Sequence, residues 1–332
     1  MRAVVVSGPG QVSIESIEDP APGPDEVVVQ VAACGICGTD LHLVDGEIPV
    51  VTYPVVPGHE LAGEVVALGR EVSTLRVGDR VAVDPSLPCG RCHYCAMGRG
   101  NLCEPWQAIG ISQDGGCAEQ VAVPARKCHV LPGELTLGAA SLVEPLSCAV
   151  RGFDRLPRRL GEHYLIYGAG TMGLLLMQLS LRSGASSVSM VDLDEGRRAF
   201  AEKLGAGQVG PSADEMGRPE GWEVVIDATG VVAAIEDGLT RVRKGGTFLQ
   251  FGVAPATATA RFSPFRVYNA EVDIIGAMAI LNSFGRAVEL LAAGAIDAEA
   301  MVSDRLALEE YPEALTRFRN HVGRKIQLAP RG

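Results

Sequence analysis

Between Tyr164 and Ser183 the chain reads strand, glycine turn, helix: Tyr164-Leu-Ile-Tyr167, then Gly168-Ala-Gly170-Thr171-Met172-Gly173, then an apolar run from Leu174. Three glycines at this spacing are weak evidence in isolation and gain meaning from the strand before them and the helix after. Gly168 permits the tight turn, Gly170 lets a backbone approach a pyrophosphate, and Gly173 lets helix pack on strand. Amides at the helix start, around Thr171 and Met172, then face the phosphates. A second strand, Ser187-Val-Ser-Met-Val-Asp192, ends in an acid nineteen residues past Gly173. A carboxylate there holds ribose hydroxyls and repels a 2′-phosphate, which prefers NAD over NADP. Arg197 and Arg198 pull the other way, because an arginine nearby serves an adenine face or a phosphate.

The alternation continues through a helix over 195–204, a strand over 223–227, a helix over 233–242 and strands over 247–251 and 272–275. Such alternation predicts a parallel, doubly wound sheet, an α/β architecture of the Rossmann type. Thr229, Phe251 and Val253 fall at strand ends where such sheets bind ligands. As residues of ordinary βα turns they have a plain explanation too.

The first half has a different rhythm. Short β-branched runs at Ala3–Val6, Val27–Val31, Val65–Gly69 and Arg80–Asp84, punctuated by Gly and Pro, predict a β-rich, barrel-like unit. Within it lie Cys37, Thr39 and His42, and then Gly58-His59-Glu60. A thiolate, an imidazole and a carboxylate are the ligand types of a zinc ion that keeps one position open. Taken singly, Cys37 is a buried thiol, His59 a core histidine and Glu60 a solvated charge. Thr39 and His42 add a hydroxyl and a second imidazole beside the same thiolate, a proton path leading away from a metal.

Cys89, Cys92, Cys95 and Cys103 follow within fifteen residues. Four sulfurs at this spacing close a tetrahedral site and leave no room for substrate, so the second zinc is structural. An iron–sulfur cluster is the chemical rival. Cys34, Cys117, Cys128 and Cys148 lack partners at metal spacing and read as small buried hydrophobes. Glu144, in Ser141-Leu-Val-Glu144-Pro145, is an acid in an apolar stretch, expensive to bury without a partner and unremarked in a surface loop.

A chain of 332 residues suggests about two domains. Its formal net charge of −11 argues against nucleic acid as a partner. No apolar run reaches the ~20 residues that span a bilayer. The start, Met1-Arg-Ala-Val-Val-Val, leads into a strand without a signal-peptide pattern, so the expected location is the cytoplasm, where nine cysteines serve metals more readily than disulfides.

Cys37-Gly-Thr-Asp-Leu-His42 followed by Pro57-Gly-His-Glu60 resembles the zinc-dependent medium-chain dehydrogenase/reductase family, most of all its sorbitol (polyol) and threonine dehydrogenase branches. The resemblance implies a GroES-like catalytic domain over 1–148 and 282–332, with a Rossmann dinucleotide-binding domain over 149–281 inserted in it. It implies a catalytic zinc on Cys37 and His59, with Glu60 and Glu144 competing for the third protein position. It matches Asp192 and Arg197 to the acid and arginine of NAD-using members, and puts the nicotinamide near Thr229, Phe251 and Val253. Proton transfer from Thr39 through the cofactor ribose to His42, a dimer or tetramer, and closure of a cleft are further implications. The expected substrate is a secondary alcohol in a polyol, sugar, cyclitol or amino-alcohol, or the matching ketone. Two alternatives are an NADP-linked carbonyl reductase and a non-catalytic zinc and nucleotide-binding redox sensor.

Overall fold

A run of β-branched valines near the N-terminus, Val4 to Val6, forms one arm of a hairpin of β1 (Arg2–Gly8) and β2 (Gln11–Ser16). The chain then builds a seven-stranded, largely antiparallel sheet from β3 (Glu26–Gly35), β4 (Glu60–Leu68), β5 (Arg80–Val83), β8 (Gln120–Pro124) and β9 (Cys128–Val130). The helix α1 (Gly38–Val44) follows β3 directly. A two-stranded ribbon, β6 (Ser86–Leu87) with β7 (Gln107–Ala108), closes the base of an excursion that contains α2 (His93–Ala96) and the four clustered cysteines. The structure is a computed structural model and describes residues 1–331.

The short α3 (Leu137–Ala140) precedes α4 (Val143–Arg155). Glu144 therefore lies in a first helical turn and not in a loop. Pro145 is tolerated because amides in that turn have no intrahelical acceptor, and an acid there complements the helix dipole.

The second rhythm folds as read. Six parallel strands stand in the order β12-β11-β10-β13-β14-β15, with ranges β10 His163–Tyr167, β11 Ser187–Val191, β12 Gln208–Gly210, β13 Trp222–Asp227, β14 Val242–Gln250 and β15 Asp273–Gly276. Crossovers run through α5 (Thr171–Arg182), α6 (Glu195–Lys203), α7 (Val232–Arg241) and α8 (Pro264–Ala270). The strand order reverses between β10 and β13, which is where such sheets open for a ligand. β14 begins five residues earlier than its apolar pattern suggests, because a register shift opposite Trp222–Val224 accommodates Gly245 and Gly246 inside the strand.

The tail forms α9 (Phe284–Ala292), α10 (Ala298–Met301), β16 (Val302–Ala307), α11 (Tyr311–Arg319) and β17 (Lys325–Ala329). β17 pairs with β3, Gln327 opposite Gly35 and Leu328 opposite Cys34, so the end of the chain completes the first sheet. The chain accordingly divides into two units: Met1–Ser147 with the chain from Ile280 on, and Cys148–Ala279. In the first, a core of valines from β1, β3, β4 and β5 meets Leu308, Tyr311 and Leu315 of the tail. In the second, Trp222, Phe248, Leu165 and Val225 are fully buried between sheet and helices.

Two thiols depart from the expectation of burial: Cys128 and Cys148 are half-buried. Cys34 and Cys117 are buried and face each other with their sulfurs 4.0 Å apart. They are unpartnered in sequence yet adjacent in the core.

Candidate active site

The site is built where β3 ends. Gly35 pairs across the ladder with Glu60, the first residue of β4. A side chain on Gly35 would meet Glu60 Oε2 at 2.0 Å, so only glycine leaves room for the carboxylate to lie over the strand. Two residues on, Cys37 caps α1, and its backbone amide donates to Asp40 Oδ2 at 2.8 Å. Thr39 Oγ1 lies 3.8 Å from Cys37 Sγ. From the other side, Gly58 turns the chain at φ +102°, and an added Cβ there would strike the sulfurs of Cys34 and Cys117. That turn delivers His59 and Glu60 into the same buried pocket.

The ligand atoms of Cys37, His59 and Glu60 all lie within 4.8 Å of one another. His59 is 4% exposed, Glu60 1%, Asp40 0% and Lys325 3%, so charge here is costly unless paired. Glu60 is paired: Lys325 Nζ donates to its Oε2 at 2.5 Å and to the Ile36 carbonyl at 2.9 Å. Burial alone would lower the Lys325 pKa, but the charges of Glu60 and Cys37 outweigh it and raise it. Burial also pulls His59 down, and contact with Cys37 plus the charges of Cys37, Asp40 and Glu144 carry it well above the ordinary 6.5. Asp40 is raised by burial, with His59 as the chief opposing influence.

These groups suit a metal. Thiolate, imidazole and carboxylate are zinc donors. His59 Nδ1 is buried without a hydrogen-bond partner, 4.0 Å from an equally partnerless Asp40 Oδ1. A metal-bound imidazole ordinarily offers its second nitrogen to such a carboxylate. Glu144 lies outside the three-residue cluster, half-buried, yet near enough for its charge to register at His59 and Lys325. His42 is exposed at the surface of α1, with Nδ1 2.5 Å from Glu47 Oε2.

Asp40 and Lys325 escaped the sequence reading. Asp40 stands at the third position of α1, where an acid closing a capping box is a legible signal. Lys325 comes from β17, 265 residues away from Glu60, and carries no local sign at all.

Cys89, Cys92, Cys95 and Cys103 likewise bring their sulfurs within 4.8 Å of one another. The amides of Arg91 and Cys92 point at Cys89 Sγ at 3.5 and 3.3 Å, and the Cys89 amide at Cys103 Sγ at 3.2 Å. Amides aimed at sulfur favour the thiolate: those of Cys95 and Glu104 help hold Cys92 down to about 6. Burial acts the other way on Cys95, which is raised, and on Cys103, which is pushed up to about 12, so the fit to a four-sulfur zinc rests on the convergence of the four sulfurs.

At the switch point of the parallel sheet, Gly168 sits at φ +95° and a Cβ on Gly173 would lie 1.8 Å from the Gly168 carbonyl. Gly170 differs: a Cβ there meets nothing closer than Arg197 at 4.0 Å, leaving open space at the start of α5. Thr171 and Met172, the first residues of α5, are half-buried. Asp192 accepts from the amides of Ala169 and Asp194 at 2.7 and 2.9 Å, which fixes its carboxylate at the end of β11. Arg198 turns to the carbonyls of Asp192 and Leu193, while Arg197 stays near the glycine turn. Asp227 ties the next turn, accepting from Thr229 N and Oγ1, Gly230 N and Gln250 Nε2. Thr229 and Val253 are exposed at those strand ends and Phe251 is half-buried.

Two family models match the chain: the alcohol dehydrogenase GroES-like domain over residues 23–133 and the zinc-binding dehydrogenase over 171–293. D-arabinitol dehydrogenase 1 of Uromyces fabae is 36% identical across 99% of this chain and 97% of its own. D-altritol 5-dehydrogenase of Agrobacterium fabrum is 36% identical across 86% of this chain and 87% of its own. A zinc-binding dehydrogenase of Sinorhizobium meliloti 1021, solved bound to NADP, superposes with a TM-score of 0.95 at 36% identity, covering 99% of each chain.

Proposed function

Because the chain belongs to the zinc-dependent medium-chain dehydrogenase family, in its polyol branch, we propose that it moves a hydride between a secondary alcohol of a polyol, sugar, cyclitol or amino-alcohol and NAD. One observation carries this reading. Cys37, His59 and Glu60 converge in one buried pocket, with Glu60 held by Lys325. A zinc held there would supply Lewis acidity at the substrate hydroxyl, and a bound nicotinamide would supply the hydride acceptor.

The chain's own residues do the rest. Cys37 Sγ and His59 would hold the metal, and Lys325 holds the Glu60 carboxylate in place beside them. Glu144 adds negative charge from α4 and is the competing third ligand. Thr39 Oγ1, beside the thiol, accepts the alcohol proton as it gives up its own, and His42, exposed on the same helix, passes the relayed proton to water. With Nδ1 engaged by Glu47, the Nε2 of His42 is the atom that exchanges with solvent. Cys89, Cys92, Cys95 and Cys103 hold a structural zinc.

Gly168, Gly170, Thr171, Met172, Gly173, Asp192 and Arg197 hold the dinucleotide, with Thr229, Phe251 and Val253 toward the nicotinamide. NAD is the preferred cofactor because the Asp192 carboxylate, held by the amides of Ala169 and Asp194, would accept from ribose hydroxyls and repel a 2′-phosphate. A second reading, NADP as cofactor, is favoured by Arg197 near Gly170 and by the NADP-bound Sinorhizobium structure. Initial rates with NAD⁺ and NADP⁺ across polyols, cyclitols, secondary alcohols and threonine test both. Chelator-sensitive reduction of NAD⁺ by one class is expected. Turnover that survives complete zinc removal would sink the mechanism.

We place the enzyme in the cytoplasm as a homodimer or homotetramer. Nine cysteines, none in a disulfide among the described residues, suit a reducing compartment. β15 leaves one edge of its sheet unpaired, with Ile274, Phe265 and Tyr268 exposed around it, a surface that a second copy can extend. Light scattering of Ile274→Lys against the parent chain checks this.

A further inference from the structure

Asp40 Oδ1, His59 Nδ1 and Tyr311 Oη are among the buried polar atoms that lack a hydrogen-bond partner among the described residues. The first two face each other at 4.0 Å. Tyr311 is 0% exposed, at the start of α11, which packs on α1. Burial, then the charge of Asp40, then the thiols of Cys117 and Cys34 raise its phenol's pKa well above the ordinary value. The ring belongs to the hydrophobic core of the first unit, a role that phenylalanine would fill equally. The hydroxyl is the part that packing leaves unexplained. Buried hydroxyls, carboxylates and imidazoles are costly unless satisfied, and a buried water typically bonds about three such groups.

We propose that Tyr311 is a positioning residue of the metal site. Its hydroxyl shares one buried water with Asp40 Oδ1 and His59 Nδ1, and this fixes the acceptor that orients the His59 ring. The water accepts from Nδ1–H and from Oη–H and donates to Asp40 Oδ1. The other oxygen of Asp40 is held by the Cys37 amide, so the set ties both the thiol-bearing turn and the imidazole to the tail helix. The proposal rests on reading Cys37, His59 and Glu60 as a metal site.

The test uses the full chain loaded with cobalt(II), in which thiolate-to-metal absorption lost in Cys37→Ser identifies the open site. Tyr311→Phe keeps the ring and removes the hydroxyl. A roughly tenfold loss of open-site metal affinity in chelator competition is expected, within the range seen when a ligand's hydrogen-bond partner is removed. The ligand-field bands of that site should shift, with the four-cysteine site unaltered. Wild-type affinity and band positions in Tyr311→Phe would overturn the proposal. Asp40→Asn provides the second arm: Tyr311→Phe placed on Asp40→Asn should add little, and independent, additive losses count against a shared unit. If the parent chain shows no band that Cys37→Ser removes, the metal-site reading itself has failed, a result distinct from an indifferent Tyr311.

Discussion

Lys325 is the residue whose role depends most on what surrounds it. It neutralises Glu60 in a pocket where neither group is more than 3% exposed. Lys325→Met leaves a buried carboxylate unpaired, which costs about 3–5 kcal/mol when no other cation is present. Zinc at the open site would offset much of that charge. Thermal unfolding should therefore show a large loss in metal-free Lys325→Met and a clearly smaller loss in the zinc-loaded form; equal losses would show that Glu60 and the metal do not communicate. His59 makes a pH prediction with opposite slopes. Its pKa in the metal-free fold is raised above 6.5, so its contribution to stability is full below that value and fades as pH climbs through the raised one. Metal binding needs the neutral ring, so zinc affinity should rise over the same window while metal-free stability falls. Calorimetry in buffers of different ionisation enthalpy should detect the released proton.

At the scale of elements, the glycines of the βα turn separate folding from binding. Gly173→Ala drives a Cβ to within 1.8 Å of the Gly168 carbonyl, so α5 must lift from the sheet. Overpacking of this kind costs about 1–3 kcal/mol, and both thermal stability and NADH affinity should drop. Gly170→Ala points into open space, so stability should hold while NADH affinity falls, read by fluorescence titration. If Gly170→Ala binds NADH normally, the pyrophosphate does not lie against that turn. The four-cysteine excursion behaves differently from the turn. Its ribbon has two residues in each strand, too few to hold the lobe without a metal.

For the molecule as a whole, the two tryptophans divide conveniently. Trp106 follows Cys103 in the first unit, and Trp222 is 1% exposed in the core of the second. Chelation should change the emission of Trp106 and leave that of Trp222 alone, which single Trp→Phe variants resolve. A change confined to Trp222 would place the metal-dependent structure in the wrong unit.

Spacing in the sequence determined the local chemistry. Four cysteines within fifteen residues, a glycine turn between strand and helix, and an acid at the end of the next strand are short-range patterns, and short-range patterns survive in a string of letters. The alternation of strand and helix determined the parallel sheet for the same reason. The helix under Glu144 was less legible, because Glu144 and Pro145 look like loop residues until their place in a first turn is known. Only the tertiary structure decided which charges meet. Gly35 opposite Glu60, Lys325 brought back by β17, and Asp40 facing His59 all depend on strand register and on contacts across up to 289 residues. Burial then turns those meetings into pKa shifts and pairings, because removing water makes each charge depend on whichever group the fold has placed beside it.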